Sequence, residues 1–488
     1  MPHNSSLIGD HAGLHELVTA VTEYAEGRIR MQPPLDHPRS VEELTAEVGA
    51  TITPQGIGGI EALNLFADKL APTCLSTDHP RFLSFIPCAP SDASVMFDLV
   101  VGASSIYGGS WMEGAGAVYA ENQALRWVAD LVGLPEQAGG VFVPGGTIGN
   151  LSALVAARHR ARAQAPQGSR PNKVAASEGA HSSISSACEV MDAECISVPA
   201  DDLGRLTGPA LAEVLDAHPG EFFAVVATCG TTNFGIIDDL ASVAQVCRER
   251  GVWFHVDGAY GGAGLAAPSI RDRYAGIEQC DSFIVDPHKW LFAPFDCCAL
   301  LYRDPAVARS AHTQKAGYLD VLTDTTDWNP TDYSVGLTRR ARGLPFWFSL
   351  VVNGTNAYTA AVERTLEVAR FAEAEIIQGI SVVKLEARHM ALLDAQGCQR
   401  LEAVGLDAER GGHFQEVFPK RVGIVGGAMD FIGQFAGEGE AQQADGHAVE
   451  MHFEAAHVGE IFGRDIGIGE GQLQGFARLR PRYGHAGP

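Results

Sequence analysis

The sequence predicts an α/β fold: a largely parallel β-sheet with helices on both faces. Short, continuous apolar runs recur at 140–144, 222–227, 252–256 and 282–285. Amphipathic stretches such as 240–249 separate these runs. Strands without polar alternation, joined by helical segments, are typical of a parallel sheet that is covered on both sides. We therefore expect a large domain over residues 79–345.

Two segments flank this domain. Residues 1–78 predict an N-terminal helical segment that is interrupted by the proline-rich stretch 31–38. Within it, Ser40 followed by Glu43 is typical of a capping box that opens a helix. Residues 303–336 predict a long polar connection, and one helix is expected from about residue 344 to 371. Residues 346–488 are expected to form a small C-terminal domain, although the sequence after about 380 is atypical.

Composition narrows the class of protein. The chain has 488 residues and a formal net charge of -24, which argues against nucleic acid or an anionic membrane as partner. Its ten cysteines show no paired C-x-x-C spacing, so free thiols in a reducing compartment are expected. No basic leader and no apolar run of membrane-spanning length is visible. These features predict a cytoplasmic protein.

The most informative residues are a lysine and an aspartate that follow two of the apolar runs. Lys289 lies in the tripeptide Pro287-His288-Lys289 after the run 282–285, and Asp257 ends the run 252–256. A lysine can form a Schiff base with the aldehyde of pyridoxal 5'-phosphate (PLP). A carboxylate can keep the pyridine nitrogen of the cofactor protonated, so that the ring accepts electrons. The pair therefore predicts a PLP site.

Polar turns after other apolar runs are candidates for the remaining contacts. Gly146 and Thr147 precede a predicted helix, where backbone N–H groups and the helix N-terminus favour an anion. A glycine-rich turn without a ligand is the alternative, and the pattern is not that of a Walker loop, because no lysine follows the last glycine. Thr231 and Thr232 end another run, where a ligand contact and a simple polar turn are both open.

Three further positions complete the candidates. The imidazole of His181 could stack on a cofactor ring, although a lone histidine is more often structural. Ala259 lies on the same face as Asp257 and is small enough to lie flat against a ring. His11 and His15 have metal-ligand spacing, but a surface helix is favoured because no further ligands lie nearby. No metal site is predicted.

Taken together, these motifs resemble the PLP-dependent group II amino-acid decarboxylases, close to the aromatic-L-amino-acid type. The resemblance runs from about residue 78 to Trp347. It is carried by Asp78-His-Pro-Arg-Phe82, Pro144-Gly-Gly-Thr147, Ala180-His-Ser-Ser183, Gly230-Thr-Thr232, His255-Val-Asp257, Asp281-Ser-Phe283, Pro287-His-Lys289 and Phe295-Asp-Cys297.

The resemblance implies a fold, an assembly and a reaction. The fold is type I of the PLP-dependent transferases, with a mostly parallel seven-stranded sheet, and the assembly is a homodimer with sites at the subunit interface. The reaction is decarboxylation of an L-amino acid to the amine and CO2 through a Schiff base at Lys289. By resemblance, Asp257 pairs with the pyridine nitrogen, and His181 and Ala259 enclose the ring. Gly146, Thr147 and His288 hold the phosphate, and Thr232 lies near the ring.

The chain departs from this family in two places within the resembling region. Asp286 stands where the family often has asparagine, two residues before the His-Lys pair. In aromatic-type enzymes a tyrosine of a long loop protonates the carbanion, and here Tyr318 and Tyr333 are the candidates. Neither of them falls cleanly in register with the family's tyrosine.

The substrate is predicted to be an aromatic or apolar L-amino acid. Phe82, Phe85 and Pro87 match the part of the family that lines the substrate side chain, although they could instead pack a dimer core. Arg81 keeps acidic side chains open. Two other functions are alternatives: an aldehyde synthase that couples decarboxylation to oxidative deamination, and an inactive PLP-binding homologue. An aminotransferase fits the motifs less well.

Overall fold

The computed structural model describes residues 13–314 and 327–379 and centres on one seven-stranded sheet. The strand order is β1-β7-β6-β5-β4-β2-β3, and β7 runs antiparallel to both of its neighbours. The other neighbouring pairs are parallel. The strands are β1 (Gly139–Val143), β2 (Lys173–Ser177), β3 (Glu194–Val198), β4 (Phe222–Thr228), β5 (Trp253–Asp257), β6 (Ser282–Val285) and β7 (Cys298–Tyr302). The predicted α/β fold with a mostly parallel seven-stranded sheet is confirmed.

Helices of the described residues precede the sheet, connect its strands and follow it. They are α1 (Leu14–Arg30), α2 (Val41–Glu47), α3 (Gly59–Leu65), α4 (Asp92–Ala103), α5 (Trp111–Val132), α6 (Gly146–Gln164), α7 (Ser183–Val190), α8 (Gly208–Ala217), α9 (Leu240–Arg250), α10 (Pro305–His312), α11 (Leu344–Asn353) and α12 (Thr355–Gly379). Among these, none is long and apolar enough to cross a lipid bilayer.

The two faces of the sheet pack into two separate apolar clusters. In β4, whose residues are all buried, Val225 and Ala227 belong to one cluster and Ala224 and Val226 to the other. This alternation follows from the two-residue period of a strand. Both faces are therefore covered, which explains why β4 reads as one continuous apolar run.

Three adjacent parallel strands end at the same edge of the sheet. β4 ends at Thr228, β5 ends at Asp257, and Asp286 directly follows β6. Because the carboxyl ends of parallel strands meet at one edge, these three polar residues share that edge: Thr228 pairs with Asp257, and Asp286 lies two residues beyond the partner of Asp257 on β6. β1 is parallel to β6 through the intervening antiparallel strand β7, so the N-terminus of α6 faces the same edge. Ligands in open α/β sheets bind at such an edge.

Local predictions had mixed outcomes. The capping box is confirmed: Glu43 N donates to Ser40 Oγ over 3.2 Å, and Ser40 N donates to a Glu43 carboxylate oxygen over 2.8 Å. The single helix expected from 344 to 371 was wrong, because Gly354 adopts a left-handed φ of 74° and separates α11 from α12. The long connection after residue 303 contains α10, which begins with Asp304 as N-cap and Pro305.

The domain limits at 78/79 and 345/346 stay predictions. The sheet lies within the predicted large domain, and α11 begins at Leu344. The C-terminal domain predicted over 346–488 falls mostly outside the described residues.

A buried ion pair fastens α5 to the segment before α11. Arg339 donates to Glu121 Oε2 over 2.9 Å and to the carbonyl oxygen of Phe142 over 3.0 Å. The other oxygen of Glu121 accepts from Gly343 N over 2.7 Å. Each side chain is almost fully buried, so each charge depends on the other.

We expect Glu121→Ala to lower the free energy of unfolding by roughly 3 kcal/mol or more, because Arg339 is left as a buried, unpaired charge. Urea denaturation would show a clear drop in the midpoint. Glu367→Ala, which breaks the exposed Arg364–Glu367 pair, is the matched control and should change the midpoint little. Equal effects of the two substitutions would contradict a special role for the buried pair.

Candidate active site

Lys289 lies in the turn that follows β6, with its amine directed at a buried carboxylate. Its backbone N–H donates to the carbonyl oxygen of Asp286 over 2.9 Å, which closes the turn. Lys289 Nζ lies 3.3 Å from Asp286 Oδ2. Asp286 is 2% exposed. A carboxylate this buried needs a positive partner, and Lys289 supplies it.

Asp257 ends β5 as an acceptor of two hydrogen bonds. Its Oδ1 accepts from Ala259 N over 3.0 Å, and its Oδ2 accepts from Asn150 Nδ2 over 2.9 Å. Asp257 is 4% exposed. Donors on both oxygens fix the orientation of the carboxylate, as a partner for a protonated ring nitrogen requires.

The N-terminus of α6 lies at the same edge of the sheet as Lys289 and Asp257. Its first turn has no side-chain cap, and the amides of Ile148 and Gly149 already bond to the carbonyl oxygen of Gly145. The amides of Gly146 and Thr147 remain available within the described part of the chain. A Cβ at Gly146 would lie 3.3 Å from both Ala259 Cβ and Asp286 Oδ2, so glycine permits this close approach. Free N–H groups at a helix N-terminus favour an anion.

The imidazole of His288 is held by the backbone of Cys297. Its Nδ1 lies 3.1 Å from Cys297 N and 2.8 Å from Cys297 O, and its Nε2 lies 3.6 Å from Asp286 Oδ2. Burial lowers the pKa of His288, and the nearby carboxylate of Asp286 opposes that shift. The ring also packs against Phe295, with 5.0 Å between centroids.

His181 sits at the start of α7 with an exposed ring. Its Nδ1 accepts from Ser183 N over 3.1 Å and lies 2.9 Å from Ser183 Oγ. Ser183 Oγ in turn accepts from Asn150 Nδ2 over 2.9 Å, and the same amide donates to Asp257. Asn150 therefore links His181 to Asp257.

The two threonines after β4 occupy different environments. Thr231 is buried, its Oγ1 accepts from Ile236 N, and its methyl group packs against Gly179 in the segment before His181. Thr232 is exposed in the same turn. The structure thus ties Thr231 to the His181 segment, while the ring contact expected of Thr232 stays a prediction.

The two candidate tyrosines are placed differently. Tyr318 lies outside the described residues. Tyr333 is buried and stacks on Trp328, with 4.2 Å between centroids and 17° between planes, and burial raises its pKa to about 12. This setting favours a packing role for Tyr333.

The phenylalanine segment predicted to line the substrate side chain adjoins Lys289. Cys88 Sγ lies 3.9 Å from the carbonyl oxygen of His288, which brings this segment against the lysine turn. Phe85 is 85% exposed with a left-handed φ of 62°, Phe82 is half-buried, and Pro87 is buried. Phe295, beside His288, is 61% exposed. Exposed aromatic groups therefore border the site.

The residues fit the PLP cofactor that the sequence predicts. The edge offers a lysine amine, an ionised carboxylate and free amides for a phosphate. Thr228 Oγ1 and Asp286 Oδ1 are buried without a hydrogen-bond partner among the described residues, which is typical of groups that face a ligand. Sequence reasoning assigned no role to Thr228 or Asn150. The only available signal for Asn150 was an amide on the buried face of an alanine-rich helix.

Buried histidines should make stability depend on pH. Burial lowers the pKa of His255 and His312 to about 4, and burial raises the pKa of Asp238 to about 7. Ordinary values are about 6.5 for histidine and about 3.9 for aspartate. Between pH 4 and 6.5, the unfolded chain therefore binds more protons at the two histidines and fewer at the aspartate. The histidines prevail, so these groups together lower stability on acidification.

We expect His312→Gln to weaken this acid dependence by about 1.4 kcal/mol per pH unit, and Asp238→Asn to steepen it. Urea unfolding at several pH values from 4.5 to 6.5 measures the slope. An unchanged slope in the His312 variant would contradict the assignment of a buried, neutral histidine.

The fold and this site are those of an α/β protein whose sheet edge suits PLP, with Lys289 in the turn after β6. Residues 61–391 match the model of the pyridoxal-dependent decarboxylase conserved domain. The chain belongs to this family, and its cofactor is PLP.

Several known decarboxylases are similar to this chain in sequence or in structure. The aromatic-L-amino-acid decarboxylase of Bos taurus is 30% identical over 74% of this chain and 79% of its own length. The L-2,4-diaminobutyrate decarboxylase of Rhizobium meliloti is 33% identical over 59% of each chain. The structure of Oryza sativa TDC with PLP and tryptamine superposes with a TM-score of 0.69 at 25% identity, over 79% of this chain and 83% of that one.

Another relative is also covered over less than two thirds of its length. The match to the aromatic-L-amino-acid decarboxylase of Bacillus atrophaeus, at 31% identity, spans 61% of this chain and 63% of that protein's length.

Proposed function

We propose that this protein catalyses PLP-dependent decarboxylation of an aromatic or apolar L-amino acid to the amine and CO2. The observation that carries the proposal is the arrangement at one sheet edge. Lys289 follows β6, Asp257 ends the adjacent strand β5, and the uncapped N-terminus of α6 faces both. The family match and the decarboxylase relatives support the same reaction.

Each residue then has a defined task. Bound PLP supplies an aldehyde for an amine and a ring that accepts the electron pair left when CO2 departs. Lys289 would hold the cofactor through its amine, and Asp257 would hold a proton at the ring nitrogen. His181 and Ala259 would enclose the ring, and Thr232 would lie near it. The amides of Gly146 and Thr147, together with His288, would bind the phosphate.

The reaction exchanges one bond for another. The bond between Cα and the carboxylate breaks, CO2 leaves, and a proton adds to Cα. The protein's contribution is orientation and a fixed electrostatic environment. Asp286 shapes that environment, since a phosphate at the α6 N-terminus brings a second negative charge close to it. Before the cofactor is bound, the Lys289 amine and the helix N-terminus offset the negative charge of Asp286.

An apolar substrate side chain is supported by the aromatic groups that border the site. Phe85 and Phe295 are both strongly exposed; Phe295 packs against His288, and Phe85 lies in the segment whose Cys88 contacts the Pro287-His288-Lys289 turn. Large exposed aromatic groups next to a reactive lysine are suited to contact with an apolar ligand. The same two groups could instead meet a second subunit.

Product analysis tests the reaction. Purified, PLP-loaded protein is incubated with L-tryptophan, L-tyrosine, L-phenylalanine, L-2,4-diaminobutyrate and L-glutamate, and CO2, amine, ammonia and peroxide are measured together. Amine and CO2 in equal amounts from an aromatic substrate are expected. Exclusive turnover of diaminobutyrate or glutamate would overturn the substrate assignment. Aldehyde with ammonia and peroxide would identify an aldehyde synthase, and no turnover by folded holoprotein would identify an inactive homologue.

We further propose that the protein is a homodimer. Large apolar side chains are exposed on α4, α5 and α11, including Leu99, Met112, Tyr119 and Val351. α4 and α11 pack together through Phe97 and Phe348, which stack at 4.1 Å, so their exposed groups share one region. In addition, α1, α2 and α3 contain no buried residue. Large apolar side chains exposed on packed helices are typical of a subunit interface.

Analytical ultracentrifugation tests the assembly. The wild type is expected to sediment as a dimer, and Leu99→Glu combined with Val351→Glu should shift it to the monomer. Val190→Glu changes an exposed apolar residue on α7 and is the matched control. A wild type that remains monomeric at micromolar concentration would overturn the proposal.

A cytoplasmic location is proposed from the thiols. All nine cysteines in the described residues are free, which suits a reducing compartment.

A further inference from the structure

One continuous chain of buried hydrogen bonds ends at Asp257. Trp253 Nε1 donates to Ser282 Oγ over 2.7 Å, and Ser282 Oγ lies 2.8 Å from His255 Nδ1. His255 Nε2 lies 2.8 Å from Asn150 Oδ1, and Asn150 Nδ2 donates to Asp257 Oδ2 over 2.9 Å. All five side chains are buried.

The groups at the two ends of this series of hydrogen bonds fix the direction of donation along it. An indole N–H can only donate, and an ionised carboxylate can only accept. Asn150 Nδ2 donates to Asp257, so Asn150 Oδ1 is left to accept from His255 Nε2–H. A neutral imidazole with its proton on Nε2 then accepts at Nδ1 from the Ser282 hydroxyl. Burial keeps His255 neutral by lowering its pKa to about 4. Every donor therefore points toward Asp257.

The direction matters because an asparagine side chain can flip. The reversed amide would place Asn150 Oδ1 against the Asp257 carboxylate, and both atoms are acceptors. It would also turn the Asn150 amide N–H groups toward His255 Nε2–H, so that two donors would meet. His255 therefore selects the orientation in which the two N–H groups of Asn150 reach Asp257 and Ser183. The Ser183 branch continues to His181 Nδ1 over 2.9 Å.

We infer that Asn150 and His255 are positioning residues that fix the cofactor contacts of this enzyme. Asn150 holds the carboxylate of Asp257 in its ring-facing orientation and, through Ser183, sets the orientation of His181. His255 sets the orientation of Asn150. The inference rests on the proposed roles of Asp257 and His181. Loss of the Asn150 donor removes one of the two hydrogen bonds that hold the Asp257 carboxylate, so the contact that keeps the ring nitrogen protonated weakens.

The experiment uses full-length protein loaded with PLP that carries 15N in the pyridine ring. The 15N chemical shift reports whether the ring nitrogen is protonated, and equilibrium dialysis gives the Kd for PLP. Asn150→Leu and His255→Leu remove the chain. His255→Gln retains an N–H for Asn150 and an acceptor for Ser282. His312→Leu is the matched control, since His312 is also buried and neutral and bonds to the Ser152 carbonyl oxygen of α6 outside the chain.

Asn150→Leu and His255→Leu are expected to move the ring nitrogen toward the unprotonated shift and to raise the Kd for PLP roughly 10- to 100-fold. His255→Gln should stay close to wild type in the ring-nitrogen shift, and His312→Leu should match wild type in both readouts. If Asn150→Leu does not fold, the His255 pair carries the test through the same readouts. Equal effects of His255→Leu and His312→Leu, or a ring nitrogen that stays protonated in every chain variant, would overturn the inference.

Asp257→Asn separates this inference from the assignment beneath it. If that variant also leaves the ring nitrogen protonated, Asp257 is not its partner and the proposed site fails as a whole. If Asp257→Asn removes the proton and Asn150→Leu does not, the site stands and the positioning role is wrong.

Discussion

Lys289→Ala is expected to abolish the visible absorption of the bound cofactor and to reduce decarboxylation by on the order of 10³-fold or more. Both effects have the same cause, because the lysine amine forms the covalent bond to the cofactor. Absorption spectra of the dialysed, PLP-loaded protein and initial rates of CO2 release are the measurements. An unchanged visible band would show that another amine carries the cofactor.

Stability must be separated from chemistry in this test. Lys289→Ala also removes the partner of Asp286, which is 2% exposed, and so leaves a buried charge unpaired. The double variant Lys289→Ala with Asp286→Asn removes that charge and should regain most of the lost stability without regaining the band. Lys173→Ala is the matched control, since Lys173 is also ion-paired and largely shielded, at the opposite end of the sheet. It should retain the wild-type spectrum.

Asp257→Asn is expected to leave PLP bound while turnover falls roughly 10²- to 10³-fold. The substitution keeps the shape of the side chain but removes the charge that favours a protonated ring nitrogen. The rate constant for CO2 release under saturating substrate is the critical quantity, and the Kd for PLP is measured beside it.

Asp332→Asn provides the comparison for Asp257→Asn. Asp332 is 4% exposed, as Asp257 is, and pairs with Arg309 away from the sheet edge. Loss of a buried carboxylate there should affect stability more than turnover. Turnover near the wild-type value in Asp257→Asn would remove this residue from the chemistry.

The sequence revealed those parts of the fold whose signals are local. β4 was predicted because residues 222–227 form one continuous apolar run, and the whole strand is buried. β2 and β3 were missed because Lys173-Val-Ala-Ala-Ser177 and Glu194-Cys-Ile-Ser-Val198 contain few residues that favour strands. Their conformation depends on pairing with a neighbour in the sheet, which no local pattern records.

The residues of the candidate site also differ in whether local sequence predicts them. Lys289 and Asp257 were predicted because each comes after an apolar run. Asn150 was not, because its importance arises from contacts with Ser183 and Asp257 that are distant in sequence. Thr231 and Thr232 could not be distinguished, since which of two adjacent hydroxyls turns inward depends on the fold of the turn.

The row formed by Thr228, Asp257 and Asp286 has an evolutionary consequence. Adjacent strands are spaced about 4.8 Å apart by backbone hydrogen bonds, so the two outer strands that carry this row lie roughly 10 Å apart whatever side chains surround them. The main chain sets this spacing, so side-chain substitutions change it little. The aromatic groups that border the site, Phe85 and Phe295, lie in segments outside the strands and are free to diverge. New substrate preferences can therefore arise by replacing these bordering residues while the reaction itself is preserved.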